Sequence, residues 1–263
     1  MFVNDSDHYD QHFLIDDEII KKFINTCNIV STDTIVEIGP GDGMLTKELV
    51  KKAKKVIAFE LDTRLKSKLD MLQKNNSNLE VRYTNALDSY LPACNKIITA
   101  LPYSIIEPFV NKLIKCEFDE VIMIMGNKYV EGVINQDITK LSLLTNCFFE
   151  VEKYFDIEPK SFNPPPRVLS SVIKLKKVTK EDLIGNKLLY IFRELYFRKL
   201  LKLKKSLMEA FIDYAKENGN ILTKKDSKEY ISRLGIPDEL LNKSFEALSN
   251  EELKKIYEIL KKC

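Results

Sequence analysis

As far as about Glu150, short runs of β-branched and aliphatic residues alternate with amphipathic stretches, which predicts strands separated by helices. Thr34–Ile38 is apolar and follows the turn-like Ser31-Thr32-Asp33, so it reads as a buried strand. Residues 44–54 then take helical spacing, with Leu45, Leu49 and Val50 on one face. A second strand is expected over 56–60 and a helix over 63–73, with Leu65, Leu69 and Leu72 inward. Leu79–Tyr83, 96–99 and 120–125 continue the strands, and 106–116 is an intervening helix. Strands separated by helices imply a parallel, doubly wound α/β sheet.

The pattern changes after that. Residues 147–155 and 168–175 are β-rich runs separated by Asn163-Pro164-Pro165-Pro166, with no room for a helix, so they suggest an antiparallel strand pair added to the sheet. From about Lys180 the chain reads as helical and lysine-rich, which places a boundary near 178 between a catalytic domain (1–178) and a small all-helical domain (179–263). No internal repeat is visible.

Length and composition agree with this division: 263 residues and 44% hydrophobic content suit a soluble chain with one large and one small domain. A net charge of +2 does not announce a nucleic-acid partner, so the placement of charge has to carry that question. The five cysteines, Cys27, Cys94, Cys116, Cys147 and Cys263, are far apart and read as thiols of a reducing, cytoplasmic compartment. With only His8 and His12 available, no Cys/His metal site is expected. Met1–Asp10 is acidic without an apolar core, and no apolar run nears the roughly 20 residues that span a bilayer, so neither a leader nor a membrane span is expected.

The chemistry starts at Glu37-Ile38-Gly39-Pro40-Gly41-Asp42-Gly43. A glycine-rich turn between strand and helix lets backbone N–H groups approach a polar ligand that a Cβ would push away. Dinucleotide folds use a similar loop. Here the glycines are spaced G-x-G-x-G, tighter than the dinucleotide fingerprint, and Glu37 precedes them, which favours S-adenosylmethionine (SAM). Glu60, ending the second strand, is placed to accept both ribose hydroxyl hydrogens of a nucleoside cofactor.

Three further segments occur in order: Gln11-His12-Phe13-Leu14, Ala100-Leu101-Pro102-Tyr103 and Ser161-Phe162-Asn163-Pro164. Together with the tract from Ile157 to Val168 they resemble the ribosomal RNA adenine N6-dimethyltransferases of the KsgA type, relatives of the erythromycin-resistance methylases. The resemblance runs from Gln11 to about Leu175 and implies a Rossmann-like SAM-dependent methyltransferase sheet. It implies that Gln11, His12 and Leu14 close over the methionine end of SAM, that Gly39, Gly41 and Gly43 line the cofactor, and that Glu60 holds the ribose. Tyr103 and Phe162 would sandwich a flipped-out adenine, each stack contributing about 1–3 kcal/mol. The partner implied is ribosomal RNA or a precursor of a ribosomal subunit, the protein acting as a monomer without a metal.

Two departures from the family pattern stand out. Asn85 replaces the family's adenine-contacting Asp; its amide oxygen accepts without charge, which is worth about 1 kcal/mol against roughly 1.5–3 for a carboxylate. Ala100 replaces the catalytic-loop Asn, whose side chain accepts one hydrogen of the target amine and so helps aim its lone pair at the methyl. The backbone carbonyls of Leu101 and Pro102 remain, Thr99 or Ser104 is a candidate substitute acceptor, and the rate is expected to fall roughly 100- to 1000-fold. Gly126-Asn127-Lys128-Tyr129 also differs from relatives, without an assignable chemical consequence. In 187–205, Lys187, Arg193, Arg198, Lys199, Lys202, Lys204 and Lys205 interleave with Tyr190, Phe192, Tyr196 and Phe197, either as a solvated helix or as a ridge gripping RNA phosphates. The expectation is transfer of methyl groups from SAM to adenine N6 in ribosomal RNA; the alternative is a divergent paralogue that keeps the fold, cofactor cleft and RNA surface but methylates weakly or not at all, acting as an RNA-binding or ribosome-assembly factor. A dinucleotide-dependent oxidoreductase fails on the glycine spacing.

Overall fold

Ile35, Val36 and Ile38 are all buried although they point to opposite sheet faces, which is the signature of a strand covered on both sides. The computed structural model describes residues 11–262; the acidic stretch 1–10, with His8, and Cys263 lie outside the described residues. In chain order the first elements are β1 (Phe13–Leu14), α1 (Asp17–Thr26), β2 (Thr34–Ile38), α2 (Met44–Leu49), β3 (Lys55–Glu60), α3 (Lys66–Asn75) and β4 (Leu79–Tyr83). They are followed by β5 (Cys94–Ala100), α4 (Ile106–Leu113), β6 (Phe118–Gly126), α5 (Asn127–Ile134), α6 (Lys140–Phe148), β7 (Phe149–Ile157), β8 (Phe162–Asn163) and β9 (Ser170–Lys177).

The seven-stranded sheet has the order β4-β3-β2-β5-β6-β9-β7, parallel from β4 to β6, with β9 antiparallel to β6. This is the doubly wound α/β sheet expected from the sequence, with its antiparallel addition. The chain first winds outward from β2 to β4, then returns to β5 and winds the other way, so the connections after β2 and β5 diverge. Ligands of open α/β sheets bind in the crevice at such a switch point.

Local details differ from the sequence pattern. Helix α2 stops at Leu49, because Lys52 and Ala53 N–H groups turn back onto the Leu49 carbonyl. The stretch 63–73 opens with a 3-10 turn at Thr63–Leu65, capped by the Asp62 side chain, and of its three expected inward leucines only Leu69 is fully buried. Cys147 and Phe148 close helix α6, so β7 begins at Phe149. Val168 and Leu169 are exposed, and β9 begins at Ser170. The helices α5 and α6 are additions to the expected pattern; Thr139 caps α6 by accepting from Ser142 N.

The chain forms two compact units. Residues up to Glu131 together with Glu150–Lys177 make the first, and Gly132–Phe149 together with the residues from Val178 on make the second. The second holds α6, α7 (Lys187–Phe197), α8 (Leu203–Glu217), α9 (Lys224–Arg233), α10 (Asp238–Asn242) and α11 (Asn250–Leu260). Its core includes Tyr190 and Phe192, the latter stacked on Tyr257 at 5.6 Å. These two aromatics of the basic stretch are therefore core residues, each burial contributing about 2 kcal/mol, and do not face a ligand. Two of its cations are structural as well: Arg193 donates to the carbonyls of Cys147 and Val178, and Arg198 pairs with Glu194 and Asp213. Lys204 and Lys205 are exposed.

Candidate cofactor and substrate site

The loop after β2 is built on left-handed glycines. Gly39, Gly41 and Gly43 have φ of 69°, 59° and 84°, a region that costs other residues about 1 kcal/mol or more. Gly39 N–H donates to the Phe59 carbonyl and Gly41 N–H to Glu60 Oε2 (3.0 Å), so the loop is tied to the end of β3. A Cβ on Gly41 would meet the Phe13 ring at 3.1 Å.

A cavity of about 390 Å³ lies over this loop, within the first unit. Gln11, His12, Leu14, Gly39, Gly41, Glu60 and Asn85 line it, as do Ala100, Leu101, Pro102, Tyr103 and Phe162. Segments far apart in sequence thus converge on one space. Gly43 does not line it: this residue caps α2, and a Cβ there would meet Leu72 at 3.2 Å, so its glycine serves helix packing.

The electrostatics of the wall discriminate between ligands. Asp42, Glu60 and Asp62 line the cavity, and among the described residues no lysine or arginine does. Arg64 neutralises Asp62, so a doubly charged pyrophosphate would face the carboxylates of Asp42 and Glu60, whereas a ligand with cationic centres is favoured. Glu60 is buried, its two oxygens accepting from Gly41 N–H and Asp62 N–H (2.8 Å). Burial raises its pKa while those N–H groups oppose the rise. Each carboxylate oxygen retains a lone pair for a ligand hydroxyl. Asp62 holds Arg64 through both carboxylate oxygens (2.8–3.1 Å) and accepts from Gln11 Nε2 at 3.4 Å; the Arg64 partnership lowers its pKa. Asp42 and Asp62 were not singled out in the sequence, although both stand next to recognised residues.

Glu37 lies on β2 beneath the loop, 1% exposed and outside the cavity lining. Neither of its oxygens has a hydrogen-bond partner among the described residues. Burial pushes its carboxyl up to about 8, with Glu60 adding to the rise and the Thr46 hydroxyl, outside hydrogen-bond geometry, pulling against it.

The opposite wall follows β5. Ala100 ends that strand and offers the cavity a methyl group. Thr99 is no substitute acceptor: it is fully buried, its hydroxyl donating to the Ile38 carbonyl at 2.7 Å, and it does not line the cavity. Ser104 is exposed and lines the cavity. The half-buried Tyr103 ring lies 6.3 Å from His12, whose Nδ1 is 2.8 Å from the Pro164 carbonyl oxygen. Phe162 is 4% exposed and sits in the β1–β8 pair opposite Leu14, at once core residue and cavity wall. Asn85 is already engaged, its oxygen accepting from Leu87 N–H (3.0 Å) and its amide donating to Asp88 (2.7 Å). One lone pair of that oxygen is left for a ligand amine. Among the described residues no group of three or more histidines, cysteines and acids is set to hold a metal, and no helix is long and apolar enough to cross a membrane.

Residues 3–236 match the family described as ribosomal RNA adenine dimethylase. A probable ribosomal RNA small subunit methyltransferase A from Methanococcoides burtonii is 31% identical, with 94% of this chain and 90% of the relative aligned. A protein of the same description from Pyrococcus abyssi is 30% identical over 98% of this chain and 93% of its own. Among solved structures, a dimethyladenosine transferase from Plasmodium falciparum superposes with a TM-score of 0.64 at 25% identity, covering 95% of this chain and 98% of that one. A 23S rRNA methyltransferase, ErmE, shares the fold with a TM-score of 0.61 at 19% identity, covering 95% and 99%.

Proposed function

This chain belongs to the ribosomal RNA adenine dimethylase family, and from that premise we propose that it transfers methyl groups from SAM to adenine N6 in ribosomal RNA, acting as a cytoplasmic monomer. The observation that carries the assignment is the one cavity shared by the glycine loop, Glu60 and the Ala100–Tyr103 turn, walled by carboxylates and, among the described residues, free of lysine and arginine. SAM bears a sulfonium and an ammonium against one carboxylate, so its net charge complements that wall. The left-handed glycines leave space that side chains would fill, and the residues present therefore fit the cofactor.

SAM supplies an electrophilic methyl group. Glu60 accepts the ribose hydroxyl hydrogens with the lone pairs its backbone partners leave free. Gln11, His12 and Leu14 cover the methionine end, and Asn85 offers one neutral acceptor to the cofactor's adenine. On the substrate side, Tyr103 and Phe162 hold the base between them. The Leu101 and Pro102 carbonyls accept an amine hydrogen and turn the nitrogen lone pair toward the methyl. Ala100 contributes no side-chain acceptor there and Thr99 lies outside the cavity, which leaves the Ser104 hydroxyl on that wall, so orientation rests on fewer groups and transfer is slow.

The test is incubation of the native chain with methyl-labelled SAM and unmethylated small-subunit RNA, followed by digestion to nucleosides. Label in N6-methylated adenosine is expected. Saturable SAM binding with no label in any nucleoside would favour the non-methylating paralogue instead.

A further inference from the structure

Gly126 ends β6 and Ser170 begins β9, and the two face each other across the antiparallel ladder. The Tyr103 ring occupies the gap left by the absent side chain: a Cβ on Gly126 would stand 3.1 Å from Tyr103 Cδ2 and 3.3 Å from Cγ. At its far end the same ring is tethered, its hydroxyl hydrogen-bonded to Ser170 Oγ, a fully buried side chain. Both contacts therefore come from one rung of the sheet.

That rung is itself held rigidly. Asn127 N–H donates to the Leu169 carbonyl at 2.9 Å, and the Ser171 hydroxyl reaches Asn127 Oδ1 (2.7 Å) and Asp156 Oδ1 (2.5 Å). Lys153 Nζ donates to Asn127 Oδ1 (3.2 Å) and pairs with Glu131 and Asp156 at 2.6 and 3.0 Å. The departure at Gly126-Asn127 thus acquires a physical meaning: glycine admits the ring, and the asparagine amide fastens the strand end that bears its hydroxyl partner.

We propose that Gly126 and Ser170 form a seat that fixes the Tyr103 ring as one wall of the substrate-base pocket, which makes both of them positioning residues. The ring lines the cavity on one side and meets the seat on the other, so movement off the seat narrows or tilts the space for the base. The functional consequence rests on the reading that an adenine stacks on Tyr103; the seat itself does not.

The experiment uses the full chain carrying 3-fluorotyrosine, observed by 19F NMR, with the Tyr103 resonance assigned by its loss in Tyr103→Phe. Gly126→Ala crowds the ring and Ser170→Ala releases its hydroxyl. The Tyr103 resonance is expected to shift in each variant while that of Tyr90, an exposed residue, stays in place. A short adenine-rich RNA is expected to move the Tyr103 resonance of the native chain. In transfer assays each seat variant should lose about fivefold or more in kcat/KM for RNA, with the SAM dissociation constant unchanged. Because they delete one shared hydrogen bond, Ser170→Ala and Tyr103→Phe together should lose no more than the larger single loss. An unmoved Tyr103 resonance in both seat variants would overturn the seat, and so would SAM affinity falling in step with RNA kinetics. If the native chain transfers no methyl, the resonances still decide the seat, and the failure falls on the reaction alone.

Discussion

The two walls of the cavity are built on different principles. The cofactor wall, from Gly39 to Gly41 and at Glu60, is made of local backbone geometry and a buried carboxylate clamped by two N–H groups. The base wall, from Ala100 to Tyr103 and at Phe162, depends on rings held by partners from other elements, Ser170 and Gly126 for Tyr103 and Leu14 for Phe162, and at Ala100 it offers a methyl group instead of an acceptor. On the proposed reading the first wall binds the cofactor, and the second holds the base without a side-chain acceptor at Ala100. Binding and turnover in this protein should therefore respond to different residues.

The largest expected separation comes from Ala100→Asn. Restoring an acceptor beside the target amine should raise the transfer rate roughly 100- to 1000-fold while the SAM dissociation constant, measured by calorimetry, stays within about twofold. Glu60→Gln tests the opposite wall. Losing a charged acceptor of the ribose should weaken SAM binding by about 10- to 100-fold, with the RNA dissociation constant nearly unchanged. Gly41→Ala should act on the same wall more gently. A φ of 59° and a 3.1 Å approach to Phe13 cost about 1–2 kcal/mol, or roughly 5- to 30-fold in SAM affinity together with a lower Tm. If either of the last two variants changed RNA affinity as much as SAM affinity, the two walls would not be separable.

The smallest effect concerns Glu37 beneath the cofactor wall. Its folded-state carboxyl titrates near 8 against an ordinary 4.5, so the folded chain keeps a proton that the unfolded chain loses between those values. Stability from this group is therefore present below about pH 4.5 and declines as pH rises toward 8. Glu37→Gln should flatten that decline and raise Tm by a few degrees at pH 8, read by thermal denaturation at several pH values.

Much of the cofactor wall was legible because its cause is local. A left-handed turn requires glycine at Gly39 and Gly41, and a strand-end carboxylate at Glu60 stands at a fixed distance along the chain. Gly43 shows the limit of that logic, since the same residue type in the same motif answers to Leu72 and Leu69 across the helix layer. Features that depend on distant partners were not legible. Nothing in the order of residues states that the Thr99 hydroxyl reaches the Ile38 carbonyl, that Asn85 turns its oxygen onto Leu87 N–H, or that Gly126 leaves room for Tyr103. In the basic stretch Tyr190 and Phe192 alternate with cations along the chain, and helical geometry turns both into the core. Helices α5 and α6 leave no clear mark in the sequence because Gly132 and the turn at Asp137 interrupt their apolar pattern.

The most direct measurement pairs SAM binding by calorimetry with the single-turnover rate of methyl transfer to unmethylated small-subunit RNA, in one preparation of the native chain. Saturable SAM binding is expected, with slow appearance of N6-methylated adenosine at a rate far below that of Ala100→Asn. Absence of SAM binding, or transfer by the native chain as fast as by that variant, would contradict the account.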